Sequence, residues 1–293
     1  MVDFKDIDIV VASRIDNHER AINAFLSYTF FKQYTKNSRF IYVEDSITPV
    51  LSEYIPLCEE DKIIHSYNDL HFKKCASYNK GIREASRKFI LCLDLDCVVK
   101  PEQIIKIKDI LKKEPGFGMC YNGMPLYLNY KAKEIFRNHQ SIETLDTFCP
   151  DLKMISMALE NYKRGFPSWP DRMDYEYCKV MGCTAVGGCL LGLRKDFKKI
   201  KGFNEKFVGW GYEDSEMVSR MRILGYDIHK CNQRLDFLYH FPHTTTTVTD
   251  AETTRYDGGP DTFDPYLENQ KECTKIEEMT KQELWKHIKG WEW

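Results

Sequence analysis

Residues 89–99, FILCLDLDCVV, form the most informative stretch of this sequence. The first five residues are apolar, and aspartates follow at positions 94 and 96. An apolar run that ends in charge is typical of a central parallel strand that is covered on both faces. In an open α/β sheet, the carboxyl ends of such strands form the ligand crevice. We therefore expect Asp94 and Asp96 to lie at the mouth of a binding crevice.

The spacing of these two aspartates has a chemical consequence. Asp94 and Asp96 would point to the same side of an extended chain, because side chains alternate with a period of two. Two carboxylates at that separation repel each other unless a cation lies between or beside them. A hard divalent cation that itself holds a diphosphate would satisfy both. Acidic pairs also end many strands and simply face water, so the pair needs support from the rest of the chain.

Strands and helices alternate around this stretch. Apolar runs predict further strands at 7–12, 39–43, 62–65 and 186–193, and helices are predicted from Asp16, over 72–86 and from Pro101 to Lys113. This alternation predicts an α/β fold with a mostly parallel, Rossmann-like sheet that has helices on both faces. At the start of the strand over 186–193, Gly187 and Gly188 would let the backbone approach a ligand closely.

Residues 121–179 interrupt the alternation. This insertion is rich in aromatic residues, Met and Pro, and it predicts one amphipathic helix around 152–162. Long insertions in compact enzymes are usually functional, so we interpret it as an acceptor-side wall and lid. Trp169 could stack on a sugar face, although aromatic residues in such an insertion also serve as core.

Residues 201–226, KGFNEKFVGWGYEDSEMVSRMRILGY, predict a loop followed by a helix. Apolar residues recur at helical spacing in its second half. Glu213 and Asp214 therefore lie at the N-terminus of this helix, where the helix dipole favours ionised carboxylates. The plain alternative is that they only cap the helix.

Composition limits the class of protein. The chain has 293 residues, 43% of them hydrophobic, and a formal net charge of −2. That length supports one large domain or two closely joined ones. The near-neutral balance gives no electrostatic case for nucleic-acid binding. No apolar run approaches the ~20 residues that span a bilayer, so we expect a soluble, cytoplasmic protein, in a bacterium or in the host cell of a virus.

Eleven cysteines are scattered without any C-x-x-C pair. This spacing predicts neither a zinc site nor a disulfide framework. Many of the cysteines, such as Cys92, Cys97 and Cys189, have apolar neighbours, where a free thiol behaves as a small core residue.

Three motifs together resemble the inverting glycosyltransferases of the GT-A fold. They are Asp94-Leu95-Asp96, the segment GFNEKFVGWGYED at 202–214, and His240. The sequence is most similar to family-2-like enzymes and to the C-terminal module shared by β1,4-galactosyltransferases and chondroitin-polymerase-type enzymes. The resemblance covers roughly residues 5–243. One departure is Glu44-Asp45, where two aspartates are common in the family.

The resemblance implies a metal site and a base. Asp96 would bind a divalent cation, Asp94 would contact that metal or the ribose, and His240 would complete the site, with His243 as an alternative or supporting ligand. An imidazole ligand favours Mn²⁺, with Mg²⁺ as the second possibility. Asp214 would be the base that activates the acceptor hydroxyl, and Glu213 would bind the acceptor.

The resemblance also implies binding residues for the two substrates. The nucleotide would contact the end of the first strand, at Ala12, Ser13 and Arg14. It would also contact Asp45, Leu95 between the two aspartates, and Lys74 and Asn79 on the helix before the aspartate motif. The sugar and acceptor would contact glycines and tryptophans on the other side of the crevice (Trp210, Gly188, Gly211, Trp169).

These implications combine into one expected activity. The enzyme would transfer a sugar from a nucleotide-diphospho-sugar, with UDP as the expected carrier, to a glycan hydroxyl by single displacement. Residues 1–250 would form the catalytic domain, with a nucleotide-binding half over 1–120 and an acceptor-binding half over 121–250. Residues 251–293 would form an extension with a short helix.

Other functions remain open at this point. A non-catalytic glycan-binding protein on a transferase scaffold would share the fold but would cleave no donor. A metal-dependent phosphohydrolase would also group Asp, Glu and His, yet it would not need the Trp-Gly-Tyr-Glu-Asp segment at 210–214. A nucleotidyltransferase would need a glycine-rich loop after the first strand, where this chain reads SRIDNHE.

Overall fold

A computed structural model describes residues 1–68, 71–150, 173–180, 187–209, 211–233, 235–243 and 265–293. The helix predicted around 152–162, and the predicted acceptor contacts Trp169 and Trp210, lie outside the described residues.

In the part of the chain that the structure describes, strands and helices follow one another along the sequence. The strands are β1 (Val2–Asp3), β2 (Ile7–Ser13), β3 (Thr35–Lys36), β4 (Arg39–Ser46), β5 (Lys62–Tyr67), β6 (Phe89–Leu93), β7 (Cys97–Val98), β8 (Gly116–Met119), β9 (Pro125–Leu128), β10 (Met173–Asp174), β11 (Cys178–Val180), β12 (Cys189–Leu193), β13 (Asp227–Lys230) and β14 (Leu238–His240). The helices are α1 (His18–Tyr34), α2 (Lys74–Glu84), α3 (Pro101–Leu111), α4 (Tyr130–His139), α5 (Ile142–Thr147), α6 (Arg194–Lys199), α7 (Glu213–Leu224), α8 (Pro265–Glu277) and α9 (Lys281–Lys289).

The main sheet of the described chain has seven strands in the order β13-β8-β12-β6-β2-β4-β5. Strand β12 runs antiparallel to both of its neighbours, and the other neighbouring pairs are parallel. The prediction of an α/β fold with a mostly parallel sheet is confirmed. The antiparallel strand was not predicted, since an apolar run does not reveal its direction.

The apolar central strands explain why this sheet forms the core. Every residue of β2 and of β6 is buried. Strands covered on both faces need helices on both sides of the sheet. Helix α2 packs especially closely, because a Cβ on its Gly81 would lie only 2.4 Å from Cγ1 of Val10 in β2. Glycine therefore allows α2, which carries Lys74, to approach the sheet.

The expectation that Asp94 and Asp96 lie on one extended chain is wrong. Strand β6 ends at Leu93, and the N–H of Cys97 donates to the carbonyl oxygen of Asp94 at 3.1 Å, which closes a turn. Strand β7 then joins a second sheet of the described chain, with strand order β10-β11-β9-β14-β7. Asp94 and Asp96 thus lie on a turn between two sheets instead of on one extended strand.

Two predicted boundaries also shift. Helix α1 is capped by Asn17, whose side chain accepts from the N–H of Arg20, and not by Asp16. Asp16 instead forms an ion pair with Arg20, with Asp16 Oδ1 and Arg20 Nε 3.4 Å apart. The strand predicted from residue 186 begins at Cys189.

The C-terminal segment has more structure than predicted. The short helix predicted in this extension is α9, which begins with a capping box of Thr280 and Glu283 and ends at Gly290. A second helix, α8, precedes this one, and both helices pack against α7. Among the helices that the structure describes, none combines the length and apolar character needed to cross a bilayer.

Candidate active site

The turn at 94–97 sends its two carboxylates to different neighbours. The side chain of Asp94 accepts from the hydroxyl of Tyr78 at 2.7 Å and lies 3.2 Å from Nζ of Lys74. The side chain of Asp96 lies against His240 and His243. The site therefore consists of two adjoining clusters, a carboxylate–lysine cluster around Asp94 and an imidazole–carboxylate cluster around Asp96.

Lys74 is at the centre of the carboxylate–lysine cluster. Besides Asp94, its Nζ lies 3.4 Å from Oε1 of Glu213 and 3.5 Å from Oδ2 of Asp214. Burial works against the ammonium, but the carboxylates of Asp214, Asp94 and Glu213 outweigh it and hold the pKa of Lys74 well above its ordinary value. Lys74 is thus a permanent cation that joins α2, the turn and the N-terminus of α7.

Asp214 occupies the first turn of α7, as predicted from the helical spacing. Burial raises the pKa of its carboxyl to about 7, with Glu213 and Asp94 adding to the shift and Lys74 opposing it. The side chain is still 29% exposed, so a ligand can reach it. Its carboxylate fits only because residue 187 is glycine, since a Cβ there would lie 1.9 Å from Oδ2 of Asp214.

Glu213 is held more tightly than its neighbour. Its Oε2 accepts from the N–H of Gly211 at 2.9 Å, and its Oε1 faces Lys74. Its side chain is only 7% exposed. The intervening residue Tyr212 has φ of 65°, a left-handed conformation that turns the chain sharply into α7. Glu213 therefore fixes the entry to the helix, whereas Asp214 faces the crevice.

Strand pairing explains how His240 reaches Asp96 from far along the chain. Strands β14 and β7 are antiparallel, with His240 opposite Cys97, and the N–H of Phe241 donates to the carbonyl oxygen of Asp96 at 2.8 Å. Nε2 of His240 then lies 3.6 Å from Oδ1 of Asp96. Nε2 of His243 lies closer, 3.0 Å from Oδ2.

The charge of Asp96 is set by these imidazoles. Burial alone would raise the pKa of the Asp96 carboxyl. The facing His240 and His243, with a smaller contribution from Arg20, outweigh burial and hold that pKa well below its ordinary value. Asp96 is therefore a carboxylate at any physiological pH.

The donor atoms around Asp96 fit a divalent cation. Among the described residues, Asp96, Cys97 and His240 offer ligand atoms that all lie within 4.8 Å of one another. Cys97 was not predicted as part of this group. Burial raises the pKa of its thiol well above the ordinary value, so the group supplies oxygen and nitrogen ligands instead of a thiolate. Such a set suits Mn²⁺ better than a thiolate-preferring metal. Asp94 is not part of this group.

The predicted nucleotide contacts at the sheet edge are mostly buried. Ala12 and Ser13 end β2, and the hydroxyl of Ser13 donates to the carbonyl oxygen of Val43. Asp45 is the second-last residue of β4, and its Oδ2 accepts from Asn68 and from the N–H of Lys73. The side chain of Leu95 packs into the hydrophobic core, and Arg14 is partly buried just beyond β2.

Two other residues predicted to contact the nucleotide, Asn79 and Lys74, bind protein groups. Asn79 is buried, donates to the carbonyl oxygen of Phe203 and to Glu205, and accepts from the N–H of Phe203. It therefore holds the loop after α6 and does not face the crevice. Lys74 was expected to contact phosphate or base, and the structure places its ammonium among carboxylates instead.

The glycines predicted on the acceptor side also contact protein groups. Gly188 has φ of 84° and a carbonyl oxygen that accepts from the N–H of Asp94 at 2.9 Å. Gly211 has φ of 110°, and a Cβ there would lie 2.8 Å from the ring of Tyr266. Gly187, Gly188, Asp94 and Asp214 line one pocket between β6, β12 and α7.

Comparisons with known proteins agree with this architecture. The family model of glycosyl transferase family 2 matches residues 19–200, which is more than half of the chain. A model described as the N-terminal domain of galactosyltransferase matches residues 172–244. No match was found among curated protein sequences.

Two solved structures are similar at low identity. The catalytic domain of Drosophila β1,4-galactosyltransferase 7 in complex with xylobiose is 15% identical, with a TM-score of 0.46, over 96% of this chain and 82% of that chain. A mutant of the Drosophila enzyme in complex with manganese, UDP-Gal and xylobiose is 16% identical, with a TM-score of 0.43, over 87% of this chain and 80% of that chain.

Proposed function

Since the chain belongs to glycosyl transferase family 2, we propose that it transfers a sugar from a nucleotide-diphospho-sugar to a hydroxyl of a glycan acceptor. UDP is the proposed carrier, and single displacement with inversion at the anomeric carbon is the proposed course. Residues 1–250 are the proposed catalytic domain, with a nucleotide-binding half over 1–120 and an acceptor-binding half over 121–250.

The observation that carries this proposal is the environment of Asp214. A general base works best when its pKa lies near the operating pH, and the pKa of this carboxyl is raised to about 7. It lies at the N-terminus of α7, partly exposed, beside a cluster that holds a permanent cation, Lys74. A buried aspartate with an unshifted pKa would be a much weaker base for an alcohol.

The imidazole–carboxylate cluster is the proposed metal site. Asp96 and His240 would hold Mn²⁺, with His243 as a further ligand and Mg²⁺ as the alternative ion. When bound, such an ion neutralises the leaving diphosphate as a Lewis acid. Asp94, engaged by Lys74 and Tyr78, is assigned to the donor sugar or ribose instead of the metal.

The arrangement of the two clusters supports inversion. The turn at 94–97 separates the proposed leaving-group side, at Asp96, from the proposed acceptor side, at Asp214. In a single displacement the base and the leaving group lie on opposite sides of the reacting carbon. Trp210, Trp169 and Gly211 are proposed to line the acceptor side, and Ala12, Ser13, Arg14 and Asp45 the nucleotide side.

A thermal-shift screen tests the donor. The purified protein is heated with UDP-, GDP- and dTDP-sugars, each with and without Mn²⁺, because a bound ligand raises the melting temperature by mass action. We expect the largest shift with one UDP-sugar and only when Mn²⁺ is present. Absence of any shift with every donor would contradict the proposal.

A product assay then separates the three candidate activities. A transferase releases UDP faster when a suitable acceptor is added, and the product carries the inverted anomeric configuration. A glycan-binding protein releases no nucleotide under any condition. A phosphohydrolase cleaves the diphosphate itself and yields UMP, which is readily distinguished from UDP by chromatography.

A further inference from the structure

The loop before α7, residues 202–209 and 211–212, has little regular structure of its own. It nevertheless delivers the N–H of Gly211 to Glu213 and sets the start of the helix that carries Asp214. Such a loop must obtain its order from neighbouring elements, since its own backbone groups pair with few partners within it.

Helix α8 supplies these partners. The side chain of Asn269 forms two hydrogen bonds with one backbone unit, because its Oδ1 accepts from the N–H of Val208 at 3.3 Å and its Nδ2 donates to the carbonyl oxygen of Val208 at 3.0 Å. Asn269 is only 3% exposed. A buried amide that satisfies both backbone groups of one residue fixes the loop as a neighbouring strand would.

The contact continues toward the catalytic end of the loop. The ring of Tyr266 lies against Gly211, where a Cβ would come within 2.8 Å of it, and its centroid is 5.1 Å from that of Tyr212. The N–H of Gly209 donates to the carbonyl oxygen of Phe72 at 2.9 Å, which links the loop to the segment before α2. An unbroken series of contacts therefore joins Asn269 to Glu213.

Further contacts from the C-terminal segment hold the N-terminal end of the loop. Glu272 lies 3.1 Å from Nδ2 of Asn204 and 3.2 Å from Nζ of Lys206. The ring of Trp293 lies against Gly202, where a Cβ would meet it at 2.3 Å. The described C-terminal residues 265–293 thus contact the loop along most of its described length, although none of them belongs to either cluster of the site.

We propose that α8 is the positioning element of the acceptor side of the site, and that Asn269 is its principal positioning residue. The proposal rests on the function proposed above. Asn269 acts through the loop before α7, which sets the direction of Asp214. The metal and nucleotide side, built on β2, β4, β7 and β14, does not depend on it.

The test compares Asn269→Leu with Thr280→Ala in the full chain. Asn269→Leu removes both hydrogen bonds to Val208 while keeping the size of the side chain. Thr280→Ala removes the N-cap of α9, so it weakens the same C-terminal segment without touching the loop. Tyr266→Leu is the second variant, should Asn269→Leu fail to fold.

Two measurements are made on each variant. Amide hydrogen exchange of peptides covering 203–213 should be at least about tenfold faster in Asn269→Leu than in the wild type. Its acceptor kcat/KM should fall by about tenfold or more, while the donor KM and Mn²⁺ affinity stay within about twofold. Thr280→Ala should lower Tm but change neither measurement at temperatures well below Tm.

Each result has one meaning. The positioning role would be overturned if amide hydrogen exchange at 203–213 were unchanged in both Asn269→Leu and Tyr266→Leu. It would also be overturned if the donor KM rose as much as the acceptor KM. A wild-type protein that transfers no sugar would refute the proposed function alone, because the exchange measurement still shows whether the loop depends on α8.

Discussion

The ammonium of Lys74 opposes the rise in the pKa of the proposed base, Asp214. Its Nζ lies within 3.5 Å of carboxylates from the turn at Asp94 and from Glu213 and Asp214. One ammonium cannot neutralise all of these groups in a poorly solvated site. Burial raises the pKa of the Asp214 carboxyl to about 7, and the carboxylates of Glu213 and Asp94 add to that shift.

Replacing Asp214 by Asn tests its role as a base. The amide keeps the shape of the side chain but accepts no proton, so we expect kcat to fall by about 10²- to 10⁴-fold. Mn²⁺-dependent donor binding should be unchanged, because Asp214 lies outside the cluster around Asp96. Steady-state kinetics and calorimetry measure the two effects. Near-normal turnover would exclude Asp214 as the base.

The pH dependence of turnover should report the same group. Asp214 accepts a proton only when ionised, so kcat should rise as pH increases through about 7 and then level off. Lys74→Met removes the cation that opposes this shift and should move the rise to higher pH. Profiles over about pH 5 to 9 measure it, with Lys80→Met on the same helix as the control. Identical profiles for wild type and Lys74→Met would contradict this account.

Asp214 also affects stability, with a definite sign. Its folded pKa of about 7 lies above the ordinary 3.8. A raised folded pKa means that the folded state binds the proton more tightly than the unfolded state does. The contribution of Asp214 to the stability of the folded state is therefore fully present below about pH 4 and is lost as pH rises through about 7.

Among the structural elements, the turn between β6 and β7 matters most, because it separates two carboxylates that are two residues apart. A tight turn after Leu93 directs Asp94 toward α2 and α7, whereas β7 carries Asp96 to the partner strand β14. A motif that reads as one unit in sequence thus has two separate sets of contacts, and we propose a separate chemical task for each.

Replacing Asp96 and Asp94 one at a time distinguishes their two proposed roles. Asp96→Ala should abolish Mn²⁺-dependent nucleotide binding, since it removes the carboxylate that faces both imidazoles. Asp94→Asn should leave Mn²⁺ affinity within a few-fold and lower kcat instead, because Asp94 contacts Lys74 and Tyr78. Titration calorimetry with Mn²⁺ and UDP measures both. Equal loss of Mn²⁺ affinity in the two variants would contradict the separation.

Sequence patterns predicted the elements better than their connections. Apolar runs located β2, β4, β5 and β6, and helical spacing placed Asp214 at the start of α7. Neither pattern could reveal the turn at Asp94, because the apolar residues continue on both sides of it. The position of Lys74 among the carboxylates also escaped prediction, since it depends on close packing of α2 at Gly81.

In the molecule as a whole, a buried ion pair joins α7, which carries the proposed base, to distant segments. Arg220 of α7 is fully buried and pairs with Glu216 at 2.6 Å. It also donates to the carbonyl oxygens of Ile200 and Gly202 and lies 4.9 Å from the ring of Trp291. One guanidinium thus connects α7, the end of α6 and the C-terminus.

Arg220→Ala should be among the most destabilising single substitutions in the chain. It would leave the Glu216 carboxylate buried without its cation and would remove the donors to two carbonyl oxygens. Loss of one partner of a buried pair costs about 3–5 kcal/mol. Urea denaturation measures the free energy of unfolding, and Ser219→Ala, which removes only a solvent-exposed hydrogen bond to Glu277, serves as the control. A loss comparable to that of the control would contradict this interpretation.

The pairing of β7 with β14 has a consequence for biosynthesis. Asp96 is made early, but the imidazoles that face it belong to a strand ending at residue 240 and to the residues just after it. A nascent chain released or stalled before that strand would contain Asp96 of the proposed metal site, but it would lack the strand that pairs with β7. Truncated products of interrupted translation would therefore lack the proposed cation site.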